Sequence, residues 1–217
     1  MTFFVAHRIN NLKSLLMIEN DVGIEIDIRE DDEDIVLAHD PFMKNKQDKI
    51  RLIDILPFIE KRFLIINVKT ERIEERFIEI SKNYLKKDNY FFLDSSLSVI
   101  NQYRNKKDFI FCSRYSEYES LVTTKKLVKE NLTNWIWIDV FNKLPINKAI
   151  SIQLNNIKAK TCLTSPCLLG REYDIKKYAK IIKRFELNID AICCKHKNIN
   201  LWRDCINLGS DNSKNVF

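Results

Sequence analysis

Short apolar runs rich in β-branched and aromatic residues alternate along this chain with longer stretches of helical period. Eight runs stand out: FFVAHR (3–8), GIEIDIRE (23–30), FLIINVKT (63–70), YFFLDSS (90–96), FIFCSR (109–114), WIWIDVF (135–141), KTCLTS (160–165) and DAICCKH (190–196). Each has the length and composition of a strand. Between them, Ile73, Phe77, Ile80 and Tyr84 recur at intervals of four, three and four, which predicts an amphipathic helix over 70–85. Ile175, Tyr178, Ile182 and Phe185 predict another over 173–187. A third is expected over 51–62, kinked or broken at Pro57. Strands alternating with helices imply a parallel sheet, and eight such units close into a (β/α)8 TIM barrel, with an open doubly wound sheet as the alternative. One domain is expected over 1–208, followed by a polar, disordered tail over 209–217. In such barrels the chemistry lies at the C-terminal ends of the strands, so the polar residues there carry the functional question.

The second run poses that question most sharply. Its period of two puts Ile24, Ile26 and Ile28 on one face and Glu25, Asp27 and Arg29 on the other. With the isoleucines packed on helices, the carboxylates point into the barrel mouth. Two carboxylates so close do not both stay ionised in a confined site without a cation or basic neighbours. A hard divalent ion, Mg²⁺ or Ca²⁺, held by oxygen ligands meets that need. A solvated strand, or a salt bridge to Arg8 or Arg29, is the plainer alternative. Repetition argues against it: Asn67 and Lys69 close the third run, and Asp94, Arg114 and Asp139 close later ones.

Of three histidines, His7 ends the first run and His39 ends IVLA, a segment placed to fold back as a hairpin on the second run. Imidazoles titrate near neutrality, so one can remove a proton while the other delivers one. His196 is expected to be structural or peripheral. Arg114 is suited to gripping a phosphate through its fork, or else to pairing with Glu117 or Glu119. Trp135 and Trp137 are expected to fill the barrel. Asp94 and Asp139 are placed to orient a histidine or a substrate hydroxyl, or to pair with lysine, and Ser165 and Arg171 to line the far rim.

Composition narrows the classes. The net charge of +6 comes from 36 basic and 30 acidic residues spread along the chain without a basic block, which argues against nucleic acid as a partner. Six cysteines include no C-x-x-C pair, several within apolar runs, and are expected to be reduced. No apolar run approaches the roughly 18 residues that span a bilayer, so a soluble, cytoplasmic protein without membrane insertion is expected. With only three glycines, asparagine is left much of the turn work. Glycine-rich nucleotide-binding motifs are missing.

Taken together, HR after the first run, EIDIR in the second, VLAHDP at 36–41 and NVK at 67–69 resemble the glycerophosphodiester phosphodiesterase family, within the phospholipase C-like phosphodiesterase superfamily. This signature occupies the first 70 residues. FLDSS, SRYSEYE, WIDVF and SPCLLGRE are similar to a divergent branch found among bacterial surface-polysaccharide genes. The resemblance implies that Glu25 and Asp27 bind a divalent cation, that His7 and His39 form the acid–base pair, and that Arg8 and Lys69 face the phosphate. Asn67 stands where the family has an acidic ligand, Ile9 where it has glycine, and INNLKS shortens the usual loop. The implied activity is metal-dependent hydrolysis of a glycerophosphodiester or related small phosphodiester, with a catalytically silent barrel that binds a phosphorylated sugar or a partner protein as the alternative.

Overall fold

The computed structural model describes residues 2–41, 49–59 and 61–207. Eight parallel strands form the barrel: β1 (Phe3–Ala6), β2 (Gly23–Asp31), β4 (Leu64–Val68), β5 (Tyr90–Leu93), β6 (Cys112–Tyr115), β7 (Trp135–Ile138), β8 (Lys160–Thr164) and β9 (Ala191–Cys194). Strand β3 (Asp34–Leu37) is the expected hairpin, antiparallel to β2 with Ile28 opposite Leu37. Helices α1 (Leu12–Leu16), α2 (Leu52–Ile59), α3 (Glu74–Ser81), α4 (Leu97–Tyr103), α5 (Leu121–Lys129), α6 (Lys148–Asn155), α7 (Ile175–Arg184) and α8 (Ile199–Asn207) lie between and after them. The order β5-β4-β2-β1-β9-β8-β7-β6 runs round the barrel. It is closed at β5 and β6 by one bridge, Phe92 to Phe111, rather than a full ladder. The barrel thus holds and the open sheet does not. The expected tail over 209–217 lies outside the described residues.

Period two divides the apolar side chains into two cores. Ile24, Ile26 and Ile28 face outward and pack with helix residues such as Leu52, Ile55, Phe77 and Tyr178. Inside the barrel, Val5, Ile65, Phe91, Cys112, Trp135, Trp137, Cys162 and Cys193 form a separate cluster. The two tryptophans are barrel filling, as expected, and the buried cysteines are free thiols serving as small apolar groups. Near the N-terminal end of the barrel, Phe63 and Phe91 pack on Trp135 with centroids 5.1 and 4.8 Å away. Gly23 is required there, since a Cβ would lie 2.7 Å from the carbonyl oxygen of Phe63.

Two helical expectations change. The helix expected over 70–85 spans only Glu74–Ser81, burying Ile73, Phe77 and Ser81 while Tyr84 is exposed. The chain turns there, with Tyr84 and Leu85 both donating backbone hydrogen bonds to the Ser81 carbonyl. Pro57 does not break α2, which continues to Ile59. Its ring lies on the exposed face, and the buried stripe Leu52, Ile55, Leu56 and Ile59 is kept. No helix among the described residues is long and apolar enough to cross a membrane.

Candidate active site

Two residues beyond the inner core, the same faces of the strands turn polar at the barrel mouth. His7 follows Val5, Asn67 follows Ile65, Arg114 follows Cys112, Asp139 follows Trp137 and Lys195 follows Cys193. From β2 come Glu25 and Asp27, both fully buried.

Donors converge on Glu25. The Arg8 backbone N–H gives a hydrogen bond to Oε2 at 2.6 Å, Asn67 Nδ2 gives one to Oε1 at 3.0 Å, and His7 Nε2 lies 3.7 Å from Oε2. Burial, reinforced by the charge of Asp27, raises the Glu25 carboxyl to about 7. Burial also lowers His7 to about 4, aided by the nearby positive charges of Arg8, Lys69 and Lys195. Both shifts run away from an ion pair between these two groups.

Asn10 holds Asp27 from two sides. Its Nδ2 donates to Asp27 Oδ2 at 2.8 Å, and the Asp27 N–H donates to Asn10 Oδ1 at 2.9 Å. Arg8 makes the intervening turn with φ of 56°, a left-handed conformation in which few non-glycine residues settle. Sequence reasoning missed Asn10, whose one signal was its place three residues after His7. It also missed Lys195, whose charge bears on His7.

The β2–β3 hairpin delivers His39. Arg29 reaches across to the His39 carbonyl at 2.9 Å and to the Lys69 carbonyl at 3.2 Å, tying the hairpin end to β4. Arg29 is therefore a brace rather than a partner of the two carboxylates. Arg8 Nη2 donates to His39 Nε2 at 2.5 Å, which leaves the ring proton on Nδ1, directed to Asp40 Oδ1 at 2.7 Å. His7, His39 and Arg8 thus meet Glu25 in one cluster.

Across the mouth the charges are already matched. Lys69 Nζ stands 3.7 Å from Asp27 and 3.6 Å from Asp94. Arg114 grips both oxygens of Asp94, at 2.7 and 3.0 Å, and also reaches Asp139. Asp139 accepts a further bond from Trp137 Nε1 at 3.2 Å. Arg114 therefore pairs with Asp94 and Asp139, not with Glu117 or Glu119, and its fork is directed at carboxylates. Ser165 is not on the rim but fully buried, accepting from Trp202 Nε1 at 2.9 Å. Arg171 fastens the loop after β7 through the carbonyls of Val140, Phe141 and Asn142. His196 pairs with Glu19 at 2.8 Å, in keeping with a peripheral place.

What these residues leave unsatisfied fits a hard cation. Asp27 Oδ1 and Asn67 Oδ1 are buried without a hydrogen-bond partner among the described residues, although their two residues are direct partners in the β2–β4 ladder. Because Asn67 turns its NH₂ group to Glu25, its carbonyl oxygen is left free. No group of three or more His, Cys, Asp or Glu side chains among the described residues is arranged to hold a metal. Two carboxylates and one amide oxygen are nonetheless donors of the type Mg²⁺ and Ca²⁺ take.

Neither a family model nor a curated protein sequence matches the chain. Solved structures do. A glycerophosphodiester phosphodiesterase from Thermotoga maritima superposes with a TM-score of 0.68 at 15% identity, covering 93% of this chain and 97% of that one. The fold is that of the glycerophosphodiester phosphodiesterases. An Oleispira antarctica phosphodiesterase, solved with the product sn-glycerol-3-phosphate, gives 0.67 at 14% identity over 95% of this chain and 97% of its own. An Agrobacterium tumefaciens glycerophosphodiester phosphodiesterase gives 0.65 at 12%, covering 90% and 98%. These likenesses extend the resemblance in the first 70 residues to the whole barrel, as a likeness of fold.

Proposed function

We propose that the chain is a divalent-cation-assisted phosphodiesterase acting on a glycerophosphodiester or a related small phosphodiester. The observation that carries this reading is the meeting of two imidazoles, an arginine and a lysine around two buried carboxylates, with one Asp27 oxygen and the Asn67 amide oxygen lacking hydrogen bonds, in a barrel shared with such enzymes.

Cleavage of a phosphodiester needs a positioned oxygen nucleophile, charge stabilisation on the non-bridging oxygens, and a proton for the departing alkoxide. Glu25, Asp27 and Asn67 would hold the cation, which would supply neutralisation of the phosphate charge. Lys69 adds a second positive charge from the β4 side. His7, kept neutral by burial, accepts the proton of the attacking hydroxyl or water. When Arg8 turns from His39 Nε2 to the phosphate, the freed Nε2 takes up a proton from solvent, and the resulting imidazolium delivers that proton to the leaving oxygen. Asp40, at Nδ1 of the same ring, stabilises that protonated imidazole. Asn10 fixes the Asp27 carboxylate through both of its hydrogen bonds.

A second reading rests on Asn67. Its NH₂ group donates to Glu25, leaving two acids where the resemblance implies three, so a barrel that binds a phosphate ester without cleaving it is the competing outcome. Hydrolysis of bis(p-nitrophenyl) phosphate and glycerophosphodiesters, with Mg²⁺, Ca²⁺ or Mn²⁺, separates the two. Turnover is expected, with His7→Ala and His39→Ala each slower by about 10²- to 10⁴-fold. Undiminished turnover in both variants removes the assigned acid–base pair, and ester binding without turnover in the wild type selects the silent barrel.

A further inference from the structure

The opposite end of the barrel carries a second concentration of charge, of one sign. A cavity of about 670 Å³ opens where the segments before β5, β6, β7 and β8 meet. Lys87, Arg104, Lys106, Lys107, Lys158 and Lys160 line it, and Asp88 is the one acidic residue in its lining. All six cationic side chains are exposed. Lys106 has a counter-charge in Glu75 at 3.0 Å. Lys160 sits 5.4 Å above the Trp135 ring, the aromatic plug at this end of the barrel. For Lys87, Lys107 and Lys158, no carboxylate lies within ion-pair distance among the described residues. Asn105, Asn131 and Asn134, whose side chains carry amide donors, also line the cavity.

Unpaired like charges around one concavity repel one another, and an anion held among them relieves that repulsion. The mouth handles charge differently, each cation there meeting a carboxylate or an imidazole. The volume is that of a small-molecule site rather than of a track for a polymer. Lysines acting as mobile point charges, with amide donors in the same lining, suit the spread charge of linked phosphates better than the single plane of a carboxylate.

We propose that this cavity binds a small polyphosphorylated anion, at a site separate from the catalytic mouth. The shared chemistry is a chain of two or more phosphates, free or attached to a nucleoside.

The test is calorimetric titration of the whole protein, without divalent ions, using tripolyphosphate and ATP as probes. Saturable binding at one site is expected, weakened as salt rises. A Lys158→Glu/Lys160→Glu variant, changed only at exposed positions, should keep its melting temperature and lose affinity by about tenfold or more. Lys87→Glu should give a smaller loss. Lys69→Met, altered at the mouth, should bind the probes as the wild type does, and excess glycerol 3-phosphate should not displace them. Equal affinity for both probes assigns recognition to the phosphate chain alone, while tighter binding of ATP assigns part of it to the nucleoside. Absence of binding by both probes, affinity unchanged in the two glutamate variants, loss with Lys69→Met, or binding confined to a long single-stranded oligonucleotide would each overturn the proposal.

Discussion

On the β1, β2 and β4 side of the mouth, Asp27 Oδ1 and Asn67 Oδ1 are buried without a hydrogen bond among the described residues, Asp27 Oδ1 meeting only the Lys69 ammonium at 3.7 Å. On the β5–β7 side, all three terminal nitrogens of Arg114 meet carboxylate oxygens. The two halves contain similar residue types at equivalent strand ends, and Lys69 stands between them. The second half is also where the barrel ladder is reduced to a single bridge, and the Arg114–Asp94 pair joins β5 to β6 above that seam. Its charges are committed to closing the barrel. Those of the first half are held in place and left available. Convergence of polar groups at strand ends therefore does not by itself mark chemistry; what marks it is an oriented group whose bonding capacity is still open.

Substitutions should divide along the same line. Asp27→Ala, which removes a carboxylate proposed to hold the cation, should lower turnover by on the order of 10²- to 10³-fold, read as kcat with saturating Mg²⁺ or Ca²⁺. Asn10→Ala leaves that carboxylate in place but unheld, so the divalent affinity from calorimetry should weaken by about 10- to 100-fold. Asn67→Asp supplies a third acid and should tighten the cation by about tenfold while lowering the stability of the cation-free protein. Arg114→Met should act differently, costing about 2 kcal/mol in a chemical melt, because Asp94 and Asp139 lose their partner in a half-exposed setting. Its kcat should change by only a few-fold. A larger loss of activity than of stability in Arg114→Met would erase the distinction between the halves.

The smallest effect is in pH. The Glu25 carboxyl, raised from 4.5 to about 7, contributes stability that is full below 4.5 and lost as pH rises through about 7. His7, lowered from 6.5 to about 4, contributes in the opposite sense: its share is full above 6.5 and lost as pH falls through about 4. Between 4.5 and 6.5 the two slopes oppose one another, so the melting temperature of the cation-free protein should be nearly flat there. In His7→Ala it should fall with pH from 4.5 to about 7. A flat profile in that variant would show that Glu25 does not carry the shift.

Much of the first half was legible because one rule decides it. Period two, anchored by Ile24, Ile26 and Ile28, leaves Glu25 and Asp27 no direction but inward, and the same parity orients His7, Asn67 and Lys69. The turn before IVLA brought His39 back to β2 as a hairpin. Parity gives a facing, however, and not a partner. For Arg114 the sequence offers a phosphate or the nearby Glu117 and Glu119, whereas closure of the barrel sets it against Asp94 and Asp139, 20 and 25 residues away. Asn10 was invisible for a related reason, since only the left-handed turn at Arg8 carries it to Asp27. The end of α3 was misread because Tyr84 keeps the helical spacing after the chain has turned toward β5.

The central claim is that the open oxygens of β2 and β4 hold a divalent cation within reach of both imidazoles. Anomalous diffraction from crystals soaked in Mn²⁺ tests it most directly. The account predicts one strong peak coordinated by Glu25, Asp27 and the Asn67 carbonyl oxygen, absent from Asp27→Ala crystals. Ordered crystals with no peak there, or with Lys69 moved into hydrogen-bonding contact with Asp27 in its place, would contradict it.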